Sequence, residues 1–107
     1  MDELTHTEVL TNFLNLNLKE LSEIYGEKVK MKLENSKQYD TYRVFTLYTG
    51  IFSKKNLAAF IIMEDLLIKI EYVGDKKIEE KILAISNELS SKLNLKNLKI
   101  QKLSKIP

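Results

Sequence analysis

The stretch LAAFIIMEDLLIKIEYV, residues 57–73, decides the fold. It opens with an almost continuous apolar run from Leu57 to Met63, as expected of a central strand, and Glu64-Asp65 then supplies a tight turn. In the following residues, side chains alternate between two sets, one for each side of a strand. One set is Leu66, Ile68, Ile70 and Tyr72, and the other is Leu67, Lys69, Glu71 and Val73. This period of two is typical of a strand. We therefore predict a hairpin, with strand three at 57–63 and strand four at about 66–73.

Two further strands precede this hairpin. Residues 28–34 alternate lysine with Val29, Met31 and Leu33, the pattern of a strand with one buried face. Turn residues follow at 35–38, and residues 42–49 are rich in aromatic and β-branched types. We predict strand one at about 28–34, strand two at about 40–49 and a polar connection at 50–56. Four strands joined by short links favour an antiparallel meander.

Helical periodicity flanks the strands on both sides. Thr5-His6-Thr7-Glu8 has the spacing of a capping box, and Gly26 can take the left-handed conformation that ends a helix. Between them, apolar residues recur every three or four positions, which predicts helix one at about 6–25. The same period returns after Asp75, a plausible N-cap, and predicts helix two at about 76–93. The lysine-rich tail, residues 95–107, fits either a fifth strand or a docked extension.

The order α-β-β-β-β-α predicts one α+β domain over residues 1–107, with a four- or five-stranded antiparallel sheet packed on the N-terminal and C-terminal helices. A chain of 107 residues with 44% apolar and 30% charged residues has the composition of a single globular domain. It contains no cysteine, which excludes disulfides and thiolate metal sites. With no apolar run of membrane-spanning length and no basic-then-apolar leader, we expect a cytoplasmic protein without membrane contact.

Charge is distributed unevenly along the chain. Residues 1–27 carry six acids and one lysine (−5), residues 28–59 carry seven bases and two acids (+5), and residues 60–107 carry nine bases and seven acids (+2), for a net charge of +2. This asymmetry suits a protein partner at least as well as a nucleic acid. Arg43 is the only arginine among the 17 bases. Because arginine is the side chain that reads guanine edges bidentately, we do not expect sequence-specific DNA recognition.

The residues that carry chemistry do not form a catalytic pattern. His6 is the only histidine and stands at a predicted helix start, where a solvated position beside the cap is the simplest interpretation. Glu64-Asp65 fits a polar turn, and Glu79 and Glu80 point to different sides of a helix. No glycine-rich phosphate loop is present. We therefore expect no enzyme activity, no cofactor and no metal site.

Two surface features allow both a functional and a purely structural interpretation. Aromatic residues concentrate among basic ones in the sheet region. This fits either a stacking platform for single-stranded nucleic acid or cross-strand packing under lysine side chains. The aromatic residues are Tyr39, Tyr42, Phe45, Tyr48, Phe52 and Tyr72. The tail from residue 91 onward carries five lysines and no acid. It fits either a charged edge that prevents sheet-to-sheet pairing or a contact for an acidic partner or a phosphate backbone.

Several local strings, together with this element order, resemble the XisI-like family, the controlling factors for excision of a nitrogen-fixation (fdxN) DNA element. The matched strings are Met1-Asp2-Glu3-Leu4-Thr5-His6, Tyr25-Gly26, Asp40-Thr41-Tyr42, Gly50, and residues 67–74. The chain departs from the family where Ile51 and Lys69 replace tryptophans and where only Gly74 is kept of an Asp-Gly-Thr-Glu string. The resemblance implies a small accessory protein that works beside a nuclease-like companion in control of DNA rearrangement.

The leading hypothesis is therefore a non-enzymatic protein of XisI-like type that acts by protein–protein contact. The runner-up is an immunity protein or antitoxin that blocks a nuclease toxin, with acidic helix one covering a basic cleft. Nucleic acid is the less favoured ligand, and the oligomeric state is left open. The residues expected to contact a partner are Glu20, Glu23, Arg43, Tyr48, Lys69, Lys99 and Lys102.

Overall fold

A computed structural model of the protein describes residues 4–36 and 41–107. Its elements are α1 (His6–Tyr25), β1 (Lys30–Asn35), β2 (Tyr42–Thr49), β3 (Lys55–Met63), β4 (Leu66–Tyr72), α2 (Lys76–Lys92) and β5 (Lys99–Lys102). Both predicted helices and all four predicted strands are confirmed, with bounds that differ by at most two residues. The predicted turn at 35–38, the start of strand two, Tyr39, and the strings at residues 1–6 and 40–42 lie partly or wholly outside the described residues.

The five strands form one sheet in the order β1-β2-β3-β4-β5. The first three pairings are antiparallel, so the predicted meander is confirmed. The prediction of a wholly antiparallel sheet is wrong for the tail, because β5 pairs with β4 in parallel and the sheet is mixed. The cause is α2, which carries the chain from the end of β4 back to the end at which β4 begins, as a crossover helix does between parallel neighbours.

The alternation predicted for strand four is wrong for its first half. Register shifts between β3 and β4, where Ile61 pairs with Lys69 but Ile62 pairs with Leu67. This β-bulge adds one residue to β4, so the side-chain pattern slips by one position. As a result Leu67, rather than Ile68, is buried with Ile70 and Tyr72. Ile68 lies on the opposite face, beside Lys69.

The core lies between the helices and one face of the sheet. Each helix contributes three almost completely buried side chains, and these pack against buried side chains of the sheet. The helix residues are Leu10, Leu14 and Leu21 of α1 and Ile82, Ile85 and Leu89 of α2, and the sheet residues are Phe45, Leu47, Phe60, Ile62 and Ile70. Each such side chain contributes about 1.5–3 kcal/mol when removed from water, so these stripes fix both helices on the sheet. Neither helix of residues 4–36 and 41–107 has an apolar run that reaches across a lipid bilayer. Neither of the two described helices packs over the other face of the sheet.

Candidate functional site

The candidate site is the sheet face opposite the helices, which we call the open face. Two rows of side chains cross it, because residues in register on neighbouring strands lie side by side. The first row runs Lys32, Thr46, Ala59, Glu71 and Gln101, and the second runs Glu34, Val44, Ile61, Lys69 and Lys99. In each row the charged residues lie toward the edges and small or apolar residues occupy the middle strands, β2 and β3.

The charges on the open face are paired along the strands. Lys32 Nζ lies 2.8 Å from Glu34 Oε1 on β1, and Lys69 Nζ lies 3.3 Å from Glu71 Oε2 on β4. The order of the signs is opposite in the two rows, since lysine is on β1 in the first and on β4 in the second. A ligand that covers both rows therefore meets a fixed pattern of alternating charge around an apolar centre.

This face is concave and holds a groove of about 650 Å³, which we call the central groove. Its apolar floor consists of Val44, Ala59, Ile61 and Ile68, and the four paired charges stand around it. One end is bounded by Ile106 and Pro107 of the tail. Asn56 Nδ2 donates a hydrogen bond to the carbonyl oxygen of Pro107 at 3.1 Å, which fixes the tail there. Val44, Ile61 and Ile68 are half-buried, so a ligand in the groove would remove further apolar surface from water.

Tyr48 lies on the open face between two lysines. Lys32 Nζ and Lys54 Nζ lie 5.3 Å and 5.4 Å from the centre of its ring. Phe45 and Tyr72, which the stacking-platform interpretation also requires, are buried in the core on the opposite face. The described aromatic residues therefore do not share one surface, and cations already contact the Tyr48 ring. This arrangement favours the packing interpretation over a platform for nucleic-acid bases.

The seven residues expected to contact a partner lie on several surfaces. Tyr48, Lys69 and Lys99 belong to the open face, with Lys99 directly beside Lys69 in register. Glu20 and Glu23 are exposed on α1, where Glu20 Oε2 accepts a hydrogen bond from Lys81 Nζ of α2 at 2.8 Å. Arg43 is exposed on the side of the sheet that bears the helices, between Asn35 and Ile62 in register. Lys102 Nζ lies 3.7 Å from Glu79 Oε2 of α2.

The fold brings His6 and Asp65 together, and both have a structural role there. The Leu67 amide donates a hydrogen bond to His6 Nδ1 at 3.3 Å, and the His6 amide donates one to Asp65 Oδ2 at 3.2 Å. Both side chains therefore join the start of α1 to the β3–β4 turn. Among residues 4–36 and 41–107, His, Asp and Glu side chains form no group of three that suits a metal ion.

Sequence reasoning missed the apolar floor of the central groove. Ile61 belongs to the apolar run predicted as a central strand, and the predicted alternation groups Ile68 with Ile70 and Tyr72. Ile61 can be assigned to the open face from its register with Lys69 and Val44. An alternating sequence pattern gives this register only once the strand pairing is known. Ile68 reaches this face only through the bulge.

Comparison with known proteins finds no family model, no curated protein and no solved structure that matches this chain. The resemblance to the XisI-like family therefore depends on the sequence strings and the element order alone. Two of them occupy turns that need glycine: Gly26 ends α1 with a φ of 76°, and Gly50 follows β2 with a φ of 93°.

Proposed function

We propose that this chain is a small non-enzymatic accessory protein that binds a companion protein through the open face of its sheet. The proposal joins two supports: the sequence resembles XisI-type controlling factors of DNA element excision, and the open face has the character of a contact surface. The observation that carries it is the central groove, in which half-buried Val44, Ile61 and Ile68 lie between two ion pairs.

The groove provides both the affinity and the orientation that a protein contact needs. Apolar anchors near the centre of an interface supply most of the binding energy, while a polar rim excludes water and sets the register. Ile61 lies at the centre of such a surface, and the Lys32–Glu34 and Lys69–Glu71 pairs form the rim. Because the sign order reverses between the two rows, a partner shifted by one row, or turned by a quarter turn about the normal to the sheet, meets like charges.

The non-enzymatic part of the proposal depends on how the polar residues are used. His6 is the only histidine in the chain, and its Nδ1 accepts a hydrogen bond from the Leu67 backbone. Asp65 accepts hydrogen bonds from α1, and Asp75 accepts one from the Ile78 amide at the start of α2. These groups hold helix ends, a structural role that accounts for their positions without a reaction.

The test starts from the product of the adjacent reading frame, since an accessory protein and its companion are expected to be encoded together. The two proteins are co-expressed, the complex is purified, and its dissociation constant is measured by calorimetry. Replacing Ile61 by serine removes the central anchor, and we expect it to weaken the complex at least about tenfold. Leu83→Ser is the matched control, because Leu83 is also a partly exposed apolar residue (39%) but lies on α2. Equal affinities for the two variants would refute the proposal.

A second candidate function, an immunity protein or antitoxin that blocks a nuclease toxin, is favoured by a different surface. Glu8, Glu23 and Glu27 are exposed on α1 and at its end, and an acidic surface can cover a basic nucleic-acid cleft by imitating the charge of the substrate. The distinguishing assay measures the nuclease activity of the purified partner with and without this chain. Under the second hypothesis the chain inhibits cleavage, and Glu23→Lys weakens the inhibition. Under the first hypothesis the chain binds the partner but leaves its nuclease activity unchanged.

Charge reversal tests the contribution of the tail to either complex. Lys99 continues the second row of the open face, whereas Lys102 pairs with Glu79 on the helical side. If the open face is the contact, Lys99→Glu weakens binding of an acidic partner segment and Lys102→Glu has a smaller effect. A larger effect of Lys102→Glu would place the contact on the helical side.

A further inference from the structure

The loop between β2 and β3 exposes two large apolar side chains side by side. Ile51 is 75% exposed and Phe52 is fully exposed, at the tip of a connection that projects beyond the end of the sheet. Gly50 makes this projection possible, because its φ of 93° and the close approach of the Ser53 carbonyl leave no space for a side chain. Adjacent, protruding apolar residues of this size are unusual on a surface that meets only water.

Lysines from three parts of the chain surround this tip. Lys54 belongs to the same connection and Lys55 begins β3, and both are exposed. Lys105 of the tail lines a small cavity together with these two residues, so it lies close to the loop. Lys30 is in register with Tyr48, two residues before Gly50, and Lys28 precedes it.

The local charge is strongly positive. Residues 41–63 contain no acid, so no carboxylate lies within the β2–β3 hairpin to offset Lys54 and Lys55. In the part of the chain that the structure describes, Lys28, Lys30, Lys55 and Lys105 form no ion pair.

We propose that this end of the sheet, which we call the basic tip, binds the surface of an anionic lipid membrane. Phe52 and Ile51 enter the boundary between headgroups and acyl chains, and the lysines contact the phosphate and carboxylate groups of the lipids. Aromatic and aliphatic residues beside lysines are the combination that binds such an interface. The contact is peripheral, so it revises the expectation of no membrane contact, which is based only on the lack of a spanning segment. It adjoins one end of the central groove, but Ile51 and Phe52 do not line that groove.

The chemistry of the cations favours a lipid surface over a nucleic acid or a protein pocket. Lysine is a flexible point charge, suited to anionic groups that move in two dimensions, whereas fixed phosphates and carboxylates are matched best by arginine. The only arginine, Arg43, lies toward the other end of β2. The two apolar side chains are largely or fully exposed in the loop, which fits insertion between lipids.

The test is sedimentation of the protein with vesicles of phosphatidylcholine and phosphatidylserine, compared with vesicles of phosphatidylcholine alone. We expect binding to the anionic vesicles that weakens with salt, and much weaker binding to the neutral ones. The double variant Ile51→Ser/Phe52→Ser is expected to bind at least about tenfold more weakly, because burial of these side chains drives insertion. Lys54→Glu/Lys55→Glu is expected to have a comparable effect.

Leu16→Ser is the matched control, because Leu16 is 82% exposed but lies on α1. It should bind anionic vesicles as the unaltered protein does, and urea unfolding should show that all variants are folded. Failure of the unaltered protein to prefer anionic vesicles, or equal binding by the loop variants, overturns the proposal. Loop-dependent binding of a single-stranded oligonucleotide without vesicle binding also overturns it, in favour of nucleic acid. Since Ile61→Ser should keep vesicle binding, the result is independent of the companion-protein proposal.

Discussion

The carboxylate of Asp65 holds Thr7 in the first turn of α1. Asp65 Oδ1 accepts hydrogen bonds from the Thr7 hydroxyl at 2.8 Å and from the Thr7 amide at 3.2 Å. The first amides of a helix have no partner within the helix, and the Thr5 side chain accepts a hydrogen bond from one of them, the amide of Glu8, at 3.1 Å. Asp65, which is 58 residues away from Thr7 in sequence, therefore completes the cap and fastens the β3–β4 turn to α1.

Removing the Asp65 carboxylate should destabilise the fold. Asp65→Asn keeps a side chain that tolerates the φ of 61° at this position but loses the charge and one acceptor. We expect a loss of about 1 kcal/mol in the free energy of unfolding, typical of a lost helix cap, measured by urea denaturation. Glu64→Gln is the control, since it removes the same charge from the neighbouring turn residue. Equal losses for both variants would show that the cap has no energetic role.

The same cap predicts a dependence on acid. Partial burial alone would raise the pKa of Asp65, but the hydrogen bonds from Thr7 and the His6 amide outweigh it and lower the pKa below its ordinary value of 3.8. A carboxyl with a lowered pKa stabilises the fold fully above that ordinary value, and the contribution is lost as the pH falls through the lowered pKa. The difference in unfolding free energy between the unaltered protein and Asp65→Asn should therefore shrink below about pH 4. A difference independent of pH would contradict this account.

Two glycines with positive φ should respond differently to alanine. At Gly50 a Cβ atom would lie 2.3 Å from the Ser53 carbonyl oxygen, so the backbone of the loop must move. At Gly26 a Cβ atom would have nothing within 4 Å, and only the left-handed conformation opposes it. We expect Gly26→Ala to cost about 1 kcal/mol and Gly50→Ala to cost at least about 1 kcal/mol more, measured by thermal and urea unfolding. The reverse order would show that the loop geometry differs from that described.

Tyr25 should make the fold sensitive to alkali. Burial and the neighbouring Asp75 carboxylate raise the pKa of Tyr25 to about 12, and its hydroxyl donates a hydrogen bond to the Val73 carbonyl at 3.3 Å. Because the unfolded chain ionises near pH 10, stability is fully present below that pH and falls as the pH rises toward 12. Tyr25→Phe should lose less stability than the unaltered protein over this interval in urea unfolding. Parallel losses would assign the alkaline effect to other groups.

Local patterns predict most of the fold. The apolar stripe of α1, ended by Gly26, and the turn Glu64-Asp65 between two strand-like runs are properties of short segments, and they give correct elements. The parallel pairing of β5 depends instead on where α2 returns the chain, which no local pattern in the tail encodes. The bulge opposite Ile61 and Ile62 is likewise not encoded by a local pattern, because a bulge exists only between two paired strands.

The candidate site is less predictable than the fold because it depends on register. Residue type alone points to Tyr48, Lys69 and Lys99 as contact residues, and the fold places all three on the open face. The apolar floor that gives this face its character needs the pairing of Val44 with Ile61. The sequence identifies Asp65 only as a turn residue, because its partners Thr7 and His6 are distant in sequence.

The most direct test of the central claim is methyl NMR of this chain with its purified companion protein. Methyl signals of Val44, Ile61 and Ile68, which line the central groove, are compared with those of Leu16 and Leu83, which are exposed on α1 and α2. We predict that the three groove residues shift on complex formation while Leu16 and Leu83 stay unchanged. Shifts confined to the helices, with an undisturbed groove, would contradict the account and move the contact surface to the acidic side of the molecule.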